Sequence, residues 1–125
     1  MVKGIGVDII EIERIRRNLD VTEGRFAAKI FTEAEAAYCN AKPHPAQHFA
    51  ARFAAKEAVS KALATGWTGS FRWKDVEIVN ESSGLPRVQF HGDLARLLGG
   101  ARIHLSLSHS ESHVVAMAVI EEAAT

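Results

Sequence analysis

From Val2 to Ile10 the chain alternates, with Ile5, Val7 and Ile9 on one face of an extended segment and Asp8 on the other; this period of two predicts a strand. At Glu11 the period changes. Ile12, Ile15 and Leu19 recur at helical spacing, and Arg14, Arg16 and Arg17 lie outside that stripe, so strand passes to helix close to Asp8. Thr32 followed by Glu35 is a capping-box pattern and predicts a second helix through Ala36, Ala37 and Tyr38. Pro43 and Pro45 mark a loop. The stretch Gln47 to Ala64 then has no proline or glycine and is rich in alanine, making it the longest predicted helix, with Gly66 placed to end it.

The second half changes character. Val76 and Ile78 alternate before Ser83-Gly84-Leu85-Pro86, and Val88 and Phe90 alternate after it, which predicts a hairpin with a glycine-containing turn. Asp93 to Leu98 fits a short helix. Ile103, Leu105 and Leu107, then Val115, Met117 and Val119, flank the polar run Ser108-His109-Ser110-Glu111-Ser112 and predict a final hairpin. Helices first and mostly strands later, without internal repeats, imply an α+β fold.

Stepping ~100° per residue along the long helix places Phe49, Phe53, Val59 and Leu63 on one arc and Ala51, Ala55, Ala58 and Ala62 nearly opposite. Both sides suit packing, the alanine side by allowing another element to approach closely, so the helix is expected to be largely buried. Its charges then need partners. Arg52 and Lys56 lie one turn apart, where like charges repel by about 0.2–0.5 kcal/mol unless an anion lies near, and a phosphate would serve. Glu57 and Lys61 have the spacing of an exposed ion pair. Asp8 with Glu11 also fits a helix start, the aspartate capping and the glutamate reaching back. A magnesium site would instead need Asp8 and Glu57 to meet from different elements, since this hard cation takes oxygen ligands beside substrate phosphates.

A length of 125 residues with 47% hydrophobic and 24% charged content fits one globular domain, expected to span 1–125. A domain of this size buries only about two-thirds of its unfolded surface, so a pocket for a large cofactor is easier to enclose between subunits. The 15 basic residues equal the 15 acidic ones, which argues against a chain drawn as a whole to nucleic acid or to an anionic membrane. Cys39 is alone and suits a reducing compartment, and no apolar run is long enough to cross a bilayer, so a cytoplasmic protein is expected. His104, His109 and His113 span a strand and a turn without cysteine support, a poor pattern for zinc.

Two strings are more specific. Gly4-Ile5-Gly6-Val7-Asp8-Ile9-Ile10-Glu11-Ile12-Glu13-Arg14-Ile15 and Arg52-Phe53-Ala54-Ala55-Lys56-Glu57-Ala58-Val59-Ser60-Lys61-Ala62-Leu63 together resemble the holo-acyl-carrier-protein synthase family of 4′-phosphopantetheinyl transferases. Phe31-Thr32 with Glu35, Gly84 with Pro86, and Leu105-Ser106-Leu107-Ser108-His109 extend the resemblance over nearly the whole chain. Val59 stands where the family often has phenylalanine, and Ala64 where glycine often precedes Thr65-Gly66.

The resemblance implies a compact single domain, its long buried helix packed on an antiparallel sheet, assembled as a homotrimer with coenzyme A in the cleft between subunits. It implies transfer of the phosphopantetheine arm of coenzyme A to a serine of an apo acyl carrier protein in fatty acid biosynthesis. Asp8 and Glu57 would hold Mg2+, with Glu57 and Lys61 as the catalytic pair and Lys61 on the phosphates. Arg52 and His109 would hold the 3′-phosphate or the adjoining nucleotide, Lys56 would also bind the coenzyme, and Gly84 and Pro86 would border the adenine. The carrier is acidic, so Arg14 and Arg17, extended by Arg25, would form its docking face. The competing readings are another magnesium-dependent phosphoryl or nucleotidyl enzyme using the same carboxylates, and a nucleotide or nucleic-acid binding module on the arginines. The absence of aromatics interleaved with those arginines argues against the latter.

Overall fold

The computed structural model describes residues 1–64 and 71–122. In chain order it contains β1 (Val2–Glu11), α1 (Ile12–Val21), α2 (Arg25–Ile30), α3 (Glu33–Asn40), α4 (Pro45–Leu63), a 3-10 turn (Trp73–Asp75), β2 (Val76–Asn80), β3 (Pro86–Phe90), α5 (Gly92–Leu98), β4 (Arg102–His109) and β5 (His113–Glu121). β1, β5 and β4 form an antiparallel sheet in that order, while β2 and β3 pair as a separate hairpin. This is the α+β arrangement expected from the sequence, with α4 packed on the three-stranded sheet.

The capping box at Thr32 is present in full: the Thr32 hydroxyl accepts from the Glu35 N–H and the Glu35 carboxylate accepts from the Thr32 N–H. Pro45 departs from the expected loop and is the first residue of α4, where a proline forfeits no helical hydrogen bond. α2 is not anticipated by the pattern, because six residues give too short a window for periodicity to register. Gly66 lies outside the described residues. In the segment from Trp67 to Lys74, the described Trp73 is partly buried and its ring stacks on Phe53 with centroids 5.4 Å apart, while Arg72 and Lys74 are exposed.

β1 turns its large apolar side chains outward. Ile5, Val7 and Ile9 are 60%, 57% and 62% exposed, and the inward face consists of Gly4, Gly6, Asp8 and Ile10. The cause is the closeness of α4. A Cβ on Gly6 would stand 1.9 Å from the Ala58 carbonyl oxygen, and one on Gly4 would stand 1.9 Å from that of Ala62. Strand and helix therefore meet backbone to backbone on the alanine side of α4. The outward face continues on β5 with exposed Val115 and Met117, which pair with Ile9 and Val7.

Candidate active site

The close packing of β1 on α4 brings Asp8 to Lys61. The Lys61 ammonium donates to Asp8 Oδ1 at 3.1 Å and to the Val7 carbonyl at 3.0 Å, which leaves one N–H free on a side chain that is half exposed. Asp8 is not a helix cap: α1 starts at Ile12, and the cap position is Glu11, whose side chain makes no capping bond. Nor does Glu57 pair with Lys61, whose carboxylate partner is Asp8.

Glu57 lies close enough to Asp8 to feel its charge. Burial first, and the Asp8 carboxylate second, push the Glu57 pKa above its ordinary value, against the opposing pull of Lys61 and Arg14. Asp8 Oδ2 is buried without a hydrogen-bond partner. A buried carboxylate oxygen left unpaired beside a second carboxylate is a poor arrangement for a protein alone and a good one for a hard divalent cation. The two side chains therefore fit a magnesium ion that would draw its remaining ligands from water and substrate oxygens.

A second, cationic cluster lies toward the other end of α4. The Arg52 Nη2 donates to Asn80 Oδ1 at 2.7 Å, and the guanidinium lies 4.2 Å from the centroid of the Tyr38 ring. Arg52 Nε is buried and has no acceptor. Lys42 lies over the same Tyr38 ring at 4.6 Å. Gln47 contacts His109 at 3.2 Å between their ε nitrogens. His48 is held below its ordinary pKa by burial and then by the charges of Lys42, Arg52, His109 and His44. So many cations around one histidine suit an anionic ligand. Asn80 in turn donates to the Gly84 carbonyl at 3.0 Å, so the turn at Gly84, with φ +92°, and the first residue of β3, Pro86, are tied to Arg52 through one amide side chain. Tyr38, Lys42, His48 and Asn80 escaped the sequence reading, since nothing local marks them. The histidines weighed for zinc go to separate partners: His104 to Glu121, His109 to Gln47 and His113 to Ser112.

Lys56 corrects the sequence expectation. It is fully buried and its ammonium donates to Glu35 Oε1 at 2.7 Å, to the Ile30 carbonyl at 2.9 Å and to the Trp73 carbonyl at 2.9 Å. All three N–H groups are used, so none is free for a phosphate. The crowding of Arg52 and Lys56 on one ridge is relieved inside the protein by Glu35.

The arginines of the expected docking face are on the surface. Arg14, Arg17 and Arg25 are exposed, and among the described residues they form no ion pair; Arg16 pairs with Glu13 on the same helix. Arg14 also pulls the Glu57 pKa down electrostatically, so the start of α1 lies within charge range of Glu57.

Residues 4–118 match the model of the 4′-phosphopantetheinyl transferase superfamily. The chain belongs to this superfamily. A superfamily relative named holo-[acyl-carrier-protein] synthase, from Koribacter versatilis, is 44% identical over 125 residues, covering 98% of this chain and 100% of the relative. A protein of the same name from Chlamydia muridarum is 49% identical over 118 residues, 94% of each chain. The crystal structure of the holo-[acyl-carrier-protein] synthase of Neisseria meningitidis superposes with a TM-score of 0.88 at 34% identity, covering 98% of this chain and 100% of that one. A Bacillus anthracis holo-(acyl-carrier-protein) synthase, solved in complex with CoA (3′,5′-ADP), superposes with a TM-score of 0.82 at 36% identity, over 98% and 99% of the two chains. Membership of the phosphopantetheinyl transferase superfamily makes the chain a transferase. Among the described residues no helix is long and apolar enough to cross a membrane.

Proposed function

We propose that the chain is a magnesium-dependent holo-acyl-carrier-protein synthase of fatty acid biosynthesis, working in the cytoplasm. In this reading Asp8, Glu57 and Lys61 serve the diphosphate of coenzyme A, and Arg52 and His109 serve its 3′-phosphate end. The observation that supports it most directly is the unpaired, buried Asp8 Oδ2 near the Glu57 carboxylate, both within the residues that match the superfamily model.

The carrier serine hydroxyl attacks the pantetheine-side phosphorus. A serine Oγ–P bond forms as the P–O bond to adenosine 3′,5′-bisphosphate breaks, and the hydroxyl proton must leave. A carboxylate that holds a cation is a weak proton acceptor, so Glu57 would organise that proton's path through a neighbouring water rather than take the proton directly. The free N–H of Lys61 would meet phosphate charge, and magnesium held by Asp8 and Glu57 would neutralise charge on the diphosphate. Arg14, Arg17 and Arg25 would steer the acidic carrier to this edge.

Helix geometry supports a site shared between subunits. Arg52 and Lys61 are nine residues apart on α4, which is about 13 Å along the axis and roughly half a turn around it. They face opposite sides of the helix. One coenzyme touching both kinds of residue would lie between Lys61 of one subunit and the Arg52 side of another. The exposed apolar face of Ile5, Val7, Ile9, Val115 and Met117 supplies a surface for such an assembly, proposed as a homotrimer.

The decisive experiment incubates the protein with coenzyme A, Mg2+ and an apo acyl carrier protein. The expected result is a mass gain of one phosphopantetheine on the carrier, abolished by chelation. Cleavage of coenzyme A without carrier modification would point to the other phosphoryl enzyme class, and an unmodified carrier with intact coenzyme would refute the reading.

A further inference from the structure

The ion pair of Glu35 and Lys56 lies at the meeting point of five segments, α2, α3, α4, the 3-10 turn and β2. Lys56 on α4 reaches the last residue of α2 at the Ile30 carbonyl and the 3-10 turn at the Trp73 carbonyl. Glu35, 1% exposed, accepts from Lys56 and the Thr32 N–H on Oε1, and from the Ile78 N–H of β2 at 2.9 Å on Oε2. Such a pair is an uneconomical way to fill a core, because apolar side chains of similar volume generally give equal or greater stability. Its placement suggests a different role.

The β2–β3 hairpin shares no strand pairing with the main sheet. Glu35 supplies a polar tie from α3 to Ile78 on that hairpin, and Arg52 supplies another to Asn80, two residues along the same strand. α3, which bears Glu35, also bears Tyr38 under the Arg52 guanidinium. The buried pair thus holds both elements that flank Arg52, the tyrosine platform and the Asn80–Gly84 turn. Lys56 lies one helical turn from Arg52 and fixes the α4 side of the same junction.

We propose that Glu35 and Lys56 are positioning residues for coenzyme recognition. They lock α3 and the β2–β3 hairpin onto α4, so that Arg52, Tyr38 and Asn80 keep one geometry for the phosphorylated nucleotide end of the substrate. The inference rests on the transferase reading. It assigns the pair no contact with the substrate and no part in metal binding, since the Asp8–Lys61 contact at the other end of α4 shares no hydrogen bond with it.

The test compares wild type with the double variant Lys56→Met/Glu35→Gln, which removes both buried charges together. Folding is followed by circular dichroism, affinity for adenosine 3′,5′-bisphosphate by calorimetry, and transfer kinetics with Mg2+ and an apo carrier. In the folded variant the bisphosphate Kd and the KM for coenzyme A are expected to rise about tenfold, in keeping with the sensitivity of bound geometry to small displacements. The kcat at saturating coenzyme and the Mg2+ concentration for half-maximal rate should stay near wild type. A purely structural pair would lower active-site number and leave Kd and KM alone; that result in a folded variant overturns the proposal. Should the double variant fail to fold, Glu35→Gln, which keeps an acceptor for the Thr32 N–H, bears the same expectation, and an unchanged Kd there is equally fatal. Failure of wild type itself to modify the carrier would instead refute the holo-acyl-carrier-protein synthase reading.

Discussion

Replacing Gly6 by alanine inserts one methyl group where β1 and α4 touch. The added Cβ would stand 1.9 Å from the Ala58 carbonyl oxygen and 2.8 Å from the Ala62 nitrogen, both backbone atoms of a helix that cannot swing aside as a side chain can. Ordinary contact begins near 3.4 Å, so strand and helix must part by about 1.5 Å, the difference between 3.4 and 1.9. Overpacking of this kind costs ~1–3 kcal/mol, which for a chain of this size corresponds to a fall of roughly 4–12 °C in melting temperature. The functional cost should be larger in proportion. Asp8 is two residues further along the same inward face, and its 3.1 Å contact to Lys61 spans the gap being widened. Misplacement by ~1 Å in a positioned site can lower a rate about a hundredfold. Thermal unfolding at fixed protein concentration and a Mg2+ titration of phosphopantetheine transfer measure the two effects. The expected variant is folded at 25 °C, melts lower and needs more Mg2+ for a much slower reaction. A Gly6→Ala protein with wild-type melting temperature and turnover would refute the backbone-to-backbone packing and its part in aligning the carboxylates.

Other expectations follow from single residues. Glu57→Gln should keep the fold and lose roughly a hundredfold or more of kcat, measured as carrier modification, if Glu57 organises the proton path. Val7→Lys, on the outward face of β1, should shift the solution mass measured by sedimentation from an oligomer to a monomer. Cys39 is fully buried, and burial pushes its thiol pKa up to about 11, so thiol reagents at pH 8 should label it only after unfolding. Glu77 is pushed up by burial but more strongly pulled down by hydrogen bonds from His91 and Thr32, so its net pKa falls below the ordinary 4.5. A carboxyl with a lowered folded pKa stabilises the protein above its unfolded value and loses that contribution as pH falls through the folded one. Glu77→Gln should therefore be less stable at neutral pH and show a flatter decline in acid denaturation below pH 4.5.

The elements that the sequence revealed are those whose side chains repeat over a long enough stretch. α4, the two hairpins and the Thr32 cap were legible for that reason, and α2 and the helical Pro45 were not. The facing of β1 illustrates a different limit. Alternation identifies two faces, but not which one is covered; here glycines permit a helix backbone to occupy the side with fewer apolar groups. In the candidate site, Asp8 and Glu57 were singled out by their motifs, while each taken alone resembled a cap or an ion-pair partner. Lys56 was misread because its partner Glu35 lies 21 residues away and its other two acceptors are backbone carbonyls, which any residue could supply. Asn80, 28 residues from Arg52, was invisible for the same reason.

The strand order has a consequence for how the molecule is made. Among the described residues β1, residues 2–11, pairs with β5, residues 113–121, and with no other strand, so residues 12–112 must follow it before the one edge that β5 covers is satisfied. Closing a pairing across almost the full chain length is the slow kind of contact in folding. Until then, β1 presents alternating isoleucine and valine with neither edge paired, the sort of segment that invites association with the wrong chain. Asp8 is thus synthesised well before the strand that fixes it in place. A chain cut short before β5 would retain both carboxylates and lack the strand that holds one of them in register.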